Sequence, residues 1–296
     1  MQPDINLAIT GTFARIRPWL KTLQTFPHIQ LRGYHSEAPD PSAALPYYDT
    51  LTSLLKEAQI LLVLSSPGKR YSEISQALRE GIQVWTTWPP VLSLKEAQKV
   101  QHLVEEAHIE PALLMPYRHH PALATYPSSS SYRLLLHTWQ LDASFEKLVP
   151  FPWHHLLAIA LDLCMALSQS RYIRSSDIES GASLQATPLT SAFHFRSHHG
   201  VYVHSTLQRL HPSASHQIVL EDHVQRYTYT LDPPPSNDPK EKSYDQTSIL
   251  YPDALRRAAV EDTLSRSLQK KWPRVSWTDG ITLMRMVEHL TQKLRF

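Results

Sequence analysis

Over roughly the first 120 positions, apolar residues fall into two alternating rhythms. Short continuous runs at Ile5–Thr10, Ile29–Tyr34, Ile60–Ser65, Gln83–Thr86 and Ala112–Met115 predict strands, since a strand covered on both faces needs no polar alternate. Between them lie stretches with helical spacing. Ile16, Leu20 and Leu23 share one face of Arg15–Thr25, and Leu51, Leu54 and Leu55 one face of Tyr48–Glu57. Tyr71–Glu80 predicts a third helix, stopped by Gly81. Ser93, with Glu96 three positions on, forms a capping box that opens a fourth helix running to about His108. Such repeated strand–helix–strand units predict a parallel, doubly wound sheet, placed here over residues 1–121.

After Pro121 the rhythm changes. Pro127 and Ser128–Ser131 read as a loop, Tyr132–Leu141 as a strand and Trp153–Ser168 as an apolar helix. Ser191–Phe195, Gly200–Leu207, His216–Leu220 and Arg226–Leu231 alternate apolar and polar residues, as in an antiparallel sheet with one packed face. Asp232–Ser243, containing Pro233-Pro234-Pro235, reads as a solvated loop, and Pro252–Leu268 and Thr278–Leu294 as amphipathic helices. The expected fold class is α/β. A Rossmann-like parallel sheet is followed by an α+β domain over 122–296 with a mostly antiparallel open sheet, and the final helix is free to pack back on the first domain.

Composition narrows the function classes. With 42% apolar and 19% charged residues the chain suits a packed globular protein, and a formal net charge of +2 makes no electrostatic case for nucleic acid. The N-terminus lacks the basic-then-apolar pattern of a signal peptide, and no apolar run approaches membrane-spanning length. A cytoplasmic protein is the expectation. The single cysteine, Cys164, lies in an apolar run where a buried thiol is expected, and it excludes an intrachain disulfide. The 17 histidines are scattered, and no Cys/His pair has zinc-ligand spacing, so no metal site is expected. Seven glycines against 23 prolines is the odd feature, because dinucleotide sites use glycine to bring backbone close to phosphate.

Several segments, taken in order, carry a resemblance. They are Ile9-Thr10-Gly11-Thr12, Phe26-Pro27-His28-Ile29-Gln30-Leu31, Ser65-Ser66-Pro67, Ala77-Leu78-Arg79-Glu80-Gly81-Ile82-Gln83-Val84 and Trp88-Pro89. Leu92-Ser93-Leu94-Lys95-Glu96-Ala97, Tyr117-Arg118-His119-His120-Pro121-Ala122 and Asp279-Gly280 continue the series. Together they resemble the glucose–fructose oxidoreductase/inositol dehydrogenase (Gfo/Idh/MocA) family across nearly the whole chain. The resemblance implies a Rossmann domain followed by an α/β domain whose open sheet forms a homo-oligomer interface. It also implies hydride transfer between a nicotinamide and a sugar, cyclitol or related small molecule.

Carried over residue by residue, the family pattern departs at its chemical positions. The glycine-rich turn becomes Gly11, Thr12 and Phe13, with Ile16 at the third small position. Ser36 stands where an acid would hold the adenosine ribose, with Arg32 and His35 nearby, which favours NADP over NAD if either binds. Ser65, Ser66 and Pro67 complete the expected cofactor-binding set together with Trp88 and Pro89. In Thr87-Trp88-Pro89, the indole replaces the family's lysine and has no titratable proton. In the second domain His155 falls at the family's Asp position and Ile159 at its His position. His155, Asp162 and Tyr117 are therefore the catalytic candidates, and Arg118 and His119 the substrate-binding ones.

Three readings follow. The chain is an oxidoreductase-fold protein with eroded motifs that has lost standard hydride transfer. Or it is an active NADP-dependent reductase using His155 or Tyr117 as an unusual proton donor. Or it is a non-catalytic subunit that pairs through its C-terminal sheet.

Overall fold

In the computed structural model, residues 4–41, 43–120, 133–140, 153–168, 179–182, 190–197, 200–208, 215–221, 225–231, 253–269, 271 and 273–293 are described. The loops expected at Ser128–Ser131 and Asp232–Ser243 lie outside them. The chain divides into two compact units, Met1–Pro116 with Thr247–Ile281, and Tyr117–Gln246 with Thr282–Phe296.

The first unit is built on β1 (Ile5–Thr10), β2 (Ile29–His35), β3 (Ile60–Val63), β4 (Gln83–Thr87) and β5 (Ala112–Leu114), all parallel, in the order β2-β1-β3-β4-β5. Between them run α1 (Phe13–Leu23), α2 (Leu51–Leu55), α3 (Pro67–Arg79) and α4 (Leu94–Ala107). β3 is buried along its whole length, as its unbroken apolar run requires. The capping box forms: the Ser93 side chain accepts from the Glu96 N–H, while the Glu96 carboxylate accepts from Ser93 N–H. α3 begins four residues before the expected Tyr71, because Pro67 has no N–H to lose at the first helical position.

A later helix, α6 (Asp253–Leu268), belongs to this unit. Val260 and Leu264 join the core formed by Ile16, Leu23, Leu62 and Trp85. Asp253 accepts from Thr22 Oγ1 at 2.7 Å and pairs with Arg256.

The second unit carries a six-stranded sheet in the order β11-β10-β6-β9-β8-β7. Its strands are β6 (Leu134–Gln140), β7 (Glu179–Ala182), β8 (Thr190–Arg196), β9 (Tyr202–Gln208), β10 (Ser215–Glu221) and β11 (Arg226–Thr230). All neighbours are antiparallel except β6 and β9. On β6, β9 and β10 alternate residues are buried, so one face packs and the other is partly open. The helix α5 (Trp153–Leu167) is apolar nearly throughout and contacts β6 and β9. β7 was not foreseen: Glu-Ser-Gly-Ala carries neither β-branched residues nor a clear alternation. The last helix, α7 (Trp277–Lys293), is capped by Ser276 and Asp279, which exchange hydrogen bonds.

Candidate functional site

In the first unit the chemistry gathers where β1, β3 and β4 end, the switch point at which open parallel sheets take ligands. Gly11 (φ 138°) allows the turn after β1 to press against β3: a Cβ there would stand 2.9 Å from the Leu64 carbonyl carbon. Thr12 follows in extended conformation, exposed, and opens α1. Phe13 points its ring toward β2, 5.7 Å from the ring of Tyr34, with the Arg17 guanidinium 5.6 Å from its centroid. Tyr47 packs edge-on against Tyr34 at 5.6 Å. This aromatic group requires Gly33, since a Cβ at that position would lie 2.6 Å from the Pro46 carbonyl oxygen.

Beneath the turn is a buried polar floor. Glu73, from the second turn of α3, accepts from Thr10 Oγ1 at 3.0 Å and Ser65 Oγ at 2.8 Å. Burial raises the pKa of Glu73, opposed by those two hydrogen bonds and by the charges of His35 and Arg70. Arg70 donates through Nε to the Ser65 carbonyl at 2.8 Å, through Nη1 to the Thr87 and Pro89 carbonyls, and through Nη2 to Thr87 Oγ1 at 3.1 Å. A second guanidinium, that of Arg15, reaches the same Ser65 carbonyl at 3.1 Å. One helical turn thus ties together the ends of three strands.

The expected cofactor residues take these places. Gly11, Thr12, Phe13 and Ser65 meet at the strand ends, with Ser66 exposed and Pro67 starting α3. The Ser36 hydroxyl donates to the Ala38 carbonyl, and the next residue, Glu37, pairs with Lys69. Trp88 is buried, its indole N–H has no partner among the described residues, and the Trp88–Pro89 peptide is cis.

The second unit holds the other candidates. Tyr117 and Arg118 sit on a 3-10 turn, Pro116–His119. Arg118 grips Asp162 of α5, with Nε 2.9 Å from both carboxylate oxygens and Nη2 2.5 Å from Oδ1. The Arg118 and Asp162 side chains are 15% and 4% exposed. Removing either partner would strand a buried charge, at a cost of about 3–5 kcal/mol. His155 is also buried and lies seven residues before Asp162, so the two share a helix face roughly 10 Å apart along the axis. His119 and His120 are half-buried, and burial lowers the pKa of His120.

The sequence did not reveal a buried imidazole group on the packed face of the sheet. His216 of β10 stacks flat on its cross-strand neighbour Trp139 of β6, centroids 4.4 Å apart, and Tyr117 lies 5.5 Å from the same imidazole. His216 Nε2 is 2.8 Å from Nε2 of His137, whose Nδ1 is 2.8 Å from Ser205 Oγ of β9. Burial pushes His137 down to about 3 and lowers His216 well below the usual imidazole range. The signal was present in His137 and Trp139 at alternate positions of one strand, but partners on other strands are invisible without register. Glu73 and Arg70 were missed for a similar reason, since they look like ordinary helix-surface charges. No group of three or more His, Cys, Asp or Glu able to hold a metal occurs among the described residues. Among the same residues, no helix is long and apolar enough to cross a membrane.

No family model matches the sequence, and no curated protein matches it. Solved structures do. A UDP-N-acetylglucosamine 3-dehydrogenase from Acidithiobacillus ferrooxidans aligns over 97% of this chain and 96% of its own, at 13% identity and a TM-score of 0.72. A dehydrogenase from Clostridium difficile aligns over 98% and 99%, at 12% identity and a TM-score of 0.74. A levoglucosan dehydrogenase, solved with NADH and levoglucosan, aligns over 98% and 97%, at 10% identity and a TM-score of 0.75. From end to end, the chain has the fold of the Gfo/Idh/MocA-type dehydrogenases.

Proposed function

We propose that this chain is an oxidoreductase-fold protein that has given up standard hydride transfer and works by binding a small molecule and by self-assembly. One observation carries the reading. Phe13 stands where a dinucleotide turn keeps its second glycine, and its ring fills the space between that turn and Tyr34 at the end of β2.

The surroundings support it. A pyrophosphate needs backbone brought close at the helix N-terminus, and a benzyl side chain one residue after Thr12 works against that approach. Past β2, Ser36 is bonded to its own loop, and the Glu37 carboxylate would oppose a 2′-phosphate, the more so if Lys69 left it. Trp88 offers no proton in place of the family's lysine, and Asp162 is committed to Arg118. The residues present therefore fit NAD or NADP poorly. Assembly would use the open face of the second sheet, where Tyr202 is exposed beside His194 and His204. A strict monomer at micromolar concentration would count against that part.

The second reading, an active NADP-dependent reductase with His155 or Tyr117 as proton donor, has one feature in its favour. Thr12 is exposed at the start of α1 and Arg15 lies in its first turn, so this helix end retains a positive character suited to phosphate. Titration with NADPH and NADH, followed by nicotinamide fluorescence, separates the two. No saturation is expected, and saturable micromolar binding would overturn the first reading.

A further inference from the structure

We propose that His194 and His204 form a cross-strand pair that binds a divalent ion from the copper–zinc end of the first transition row. Both rings belong to one chain, so the site goes beyond the reading above and stands whether or not the sheet assembles. The two residues are opposed in register on β8 and β9. Directly opposed residues of antiparallel strands carry their Cβ atoms about 4.5–5.5 Å apart on one face of the sheet. Two imidazoles at that spacing reach a shared ion at nitrogen–metal distances of about 2.0–2.1 Å. The broad ring torsion of histidine lets both rings turn toward it.

The rings are already aligned. Tyr202, His194 and His204 form a ladder of near-parallel rings, with centroids 5.9 Å and then 6.4 Å apart and interplanar angles of 28° and 22°. His194 and His204 are partly exposed, which gives an ion a way in. Thr206 Oγ1 lies 3.2 Å from Nε2 of His204. An ion on Nδ1 leaves the His204 proton on Nε2, which donates to the hydroxyl. Metal-bound histidines are commonly oriented by such an outer partner.

The electrostatics agree. Partial burial and the neighbouring His194 lower the pKa of His204. Its ring is therefore neutral near pH 7, the form that offers a lone pair to a metal. Across the sheet the row runs Glu179, His194, His204, Leu136 and Val219 in backbone register. An acid thus flanks the pair in register on β7, and aliphatic residues flank it on β6 and β10. Arg196 stands one row away, opposite Tyr202, with its charge exposed and screened.

The ligand type narrows the ion. Imidazole nitrogens suit copper, nickel and zinc, and the general order of affinity places Cu2+ highest. Two protein ligands leave the remaining positions to water, so the site is open rather than a closed structural centre. The two histidines lie on different strands, which is why no ligand spacing in the sequence marks them.

The test uses the full-length protein, stripped of metal with EDTA and given one equivalent of copper(II) chloride. Glycine is present to hold copper away from single histidines. Pulsed electron paramagnetic resonance then counts the imidazoles on the ion. The expected count is two in the parent and one in His194→Phe and in His204→Phe. Affinity in those variants should fall by more than the roughly 10–100-fold that loss of an outer partner costs. Thr206→Val keeps both rings and carries the test should a Phe variant fail to fold; it should retain two imidazoles and bind about tenfold more weakly. A parent that leaves its copper with glycine, or shows a single imidazole, overturns the proposal. So does a two-imidazole signal that survives in both Phe variants, since it marks adventitious copper among the other histidines.

Discussion

The strand-end floor of the first unit and the imidazole group of the second are both buried and polar, but they are finished to different degrees. Around Glu73 and Arg70 the hydrogen bonds run from carboxylate to two hydroxyls and from guanidinium to three carbonyls and a hydroxyl. Such a network rigidifies the strand ends. The His137–His216 chain is bonded at every link but the last. The first network is spent on joining the ends of β1, β3 and β4. The second keeps one buried nitrogen, His216 Nδ1, without a partner among the described residues.

Substitutions can break this contrast. The largest effect is expected at Asp162. Asp162→Ala strands the Arg118 charge and should cost about 3–5 kcal/mol in urea unfolding. The paired change Arg118→Leu with Asp162→Leu should cost much less, and an equally large loss would show that the pair does more than neutralise itself. Next comes Arg70→Met, which takes a donor from the carbonyls of Thr87, Pro89 and Ser65, the last of which keeps Arg15. A loss on the order of 3 kcal/mol is expected, against a negligible loss if water replaces the guanidinium.

Phe13→Gly removes the ring from Tyr34 and places glycine in a helix, so a loss of about 2 kcal/mol is expected. The same variant should bind NADPH more tightly than the parent if the ring is what fills the groove. Unchanged affinity would move the obstruction to Glu37 or to the floor.

The smallest effect concerns Glu73 and its sign. Because burial raises its folded pKa above the ordinary 4.5, the folded state binds the proton more tightly than the unfolded chain. The stability that proton contributes is fully present below about pH 4.5 and is lost as pH rises through the folded value. Glu73→Gln should therefore gain on the parent as pH rises from 4.5 and level off above the folded value. A gap that widens as pH falls would reverse the assignment.

How much of this was legible in the sequence depends on the range of the interaction. Elements set by local pattern were readable: the apolar run of β3, the Ser93–Glu96 box and the alternation on β9 and β10. The short strand Glu179–Ala182 was not, since it exists only by pairing with β8. At the sites, the odd residues Phe13, Ser36 and Trp88 could be named from their positions. What their side chains touch could not, because Tyr34, Ala38 and the Glu37–Lys69 pair depend on how loops fold back. Arg118 and Asp162 were both singled out, yet the bond between them spans 44 residues and has no local trace. His137, Ser205 and His216 come together only through the register of three strands, two of which, β6 and β9, pair in parallel.

The central claim, that Phe13 and its neighbours fill the dinucleotide groove, is tested most directly by calorimetric titration of the unmodified protein with NADPH. The account predicts no saturable heat up to millimolar cofactor. A micromolar dissociation constant with one site per chain would contradict it and return the protein to the active reductases.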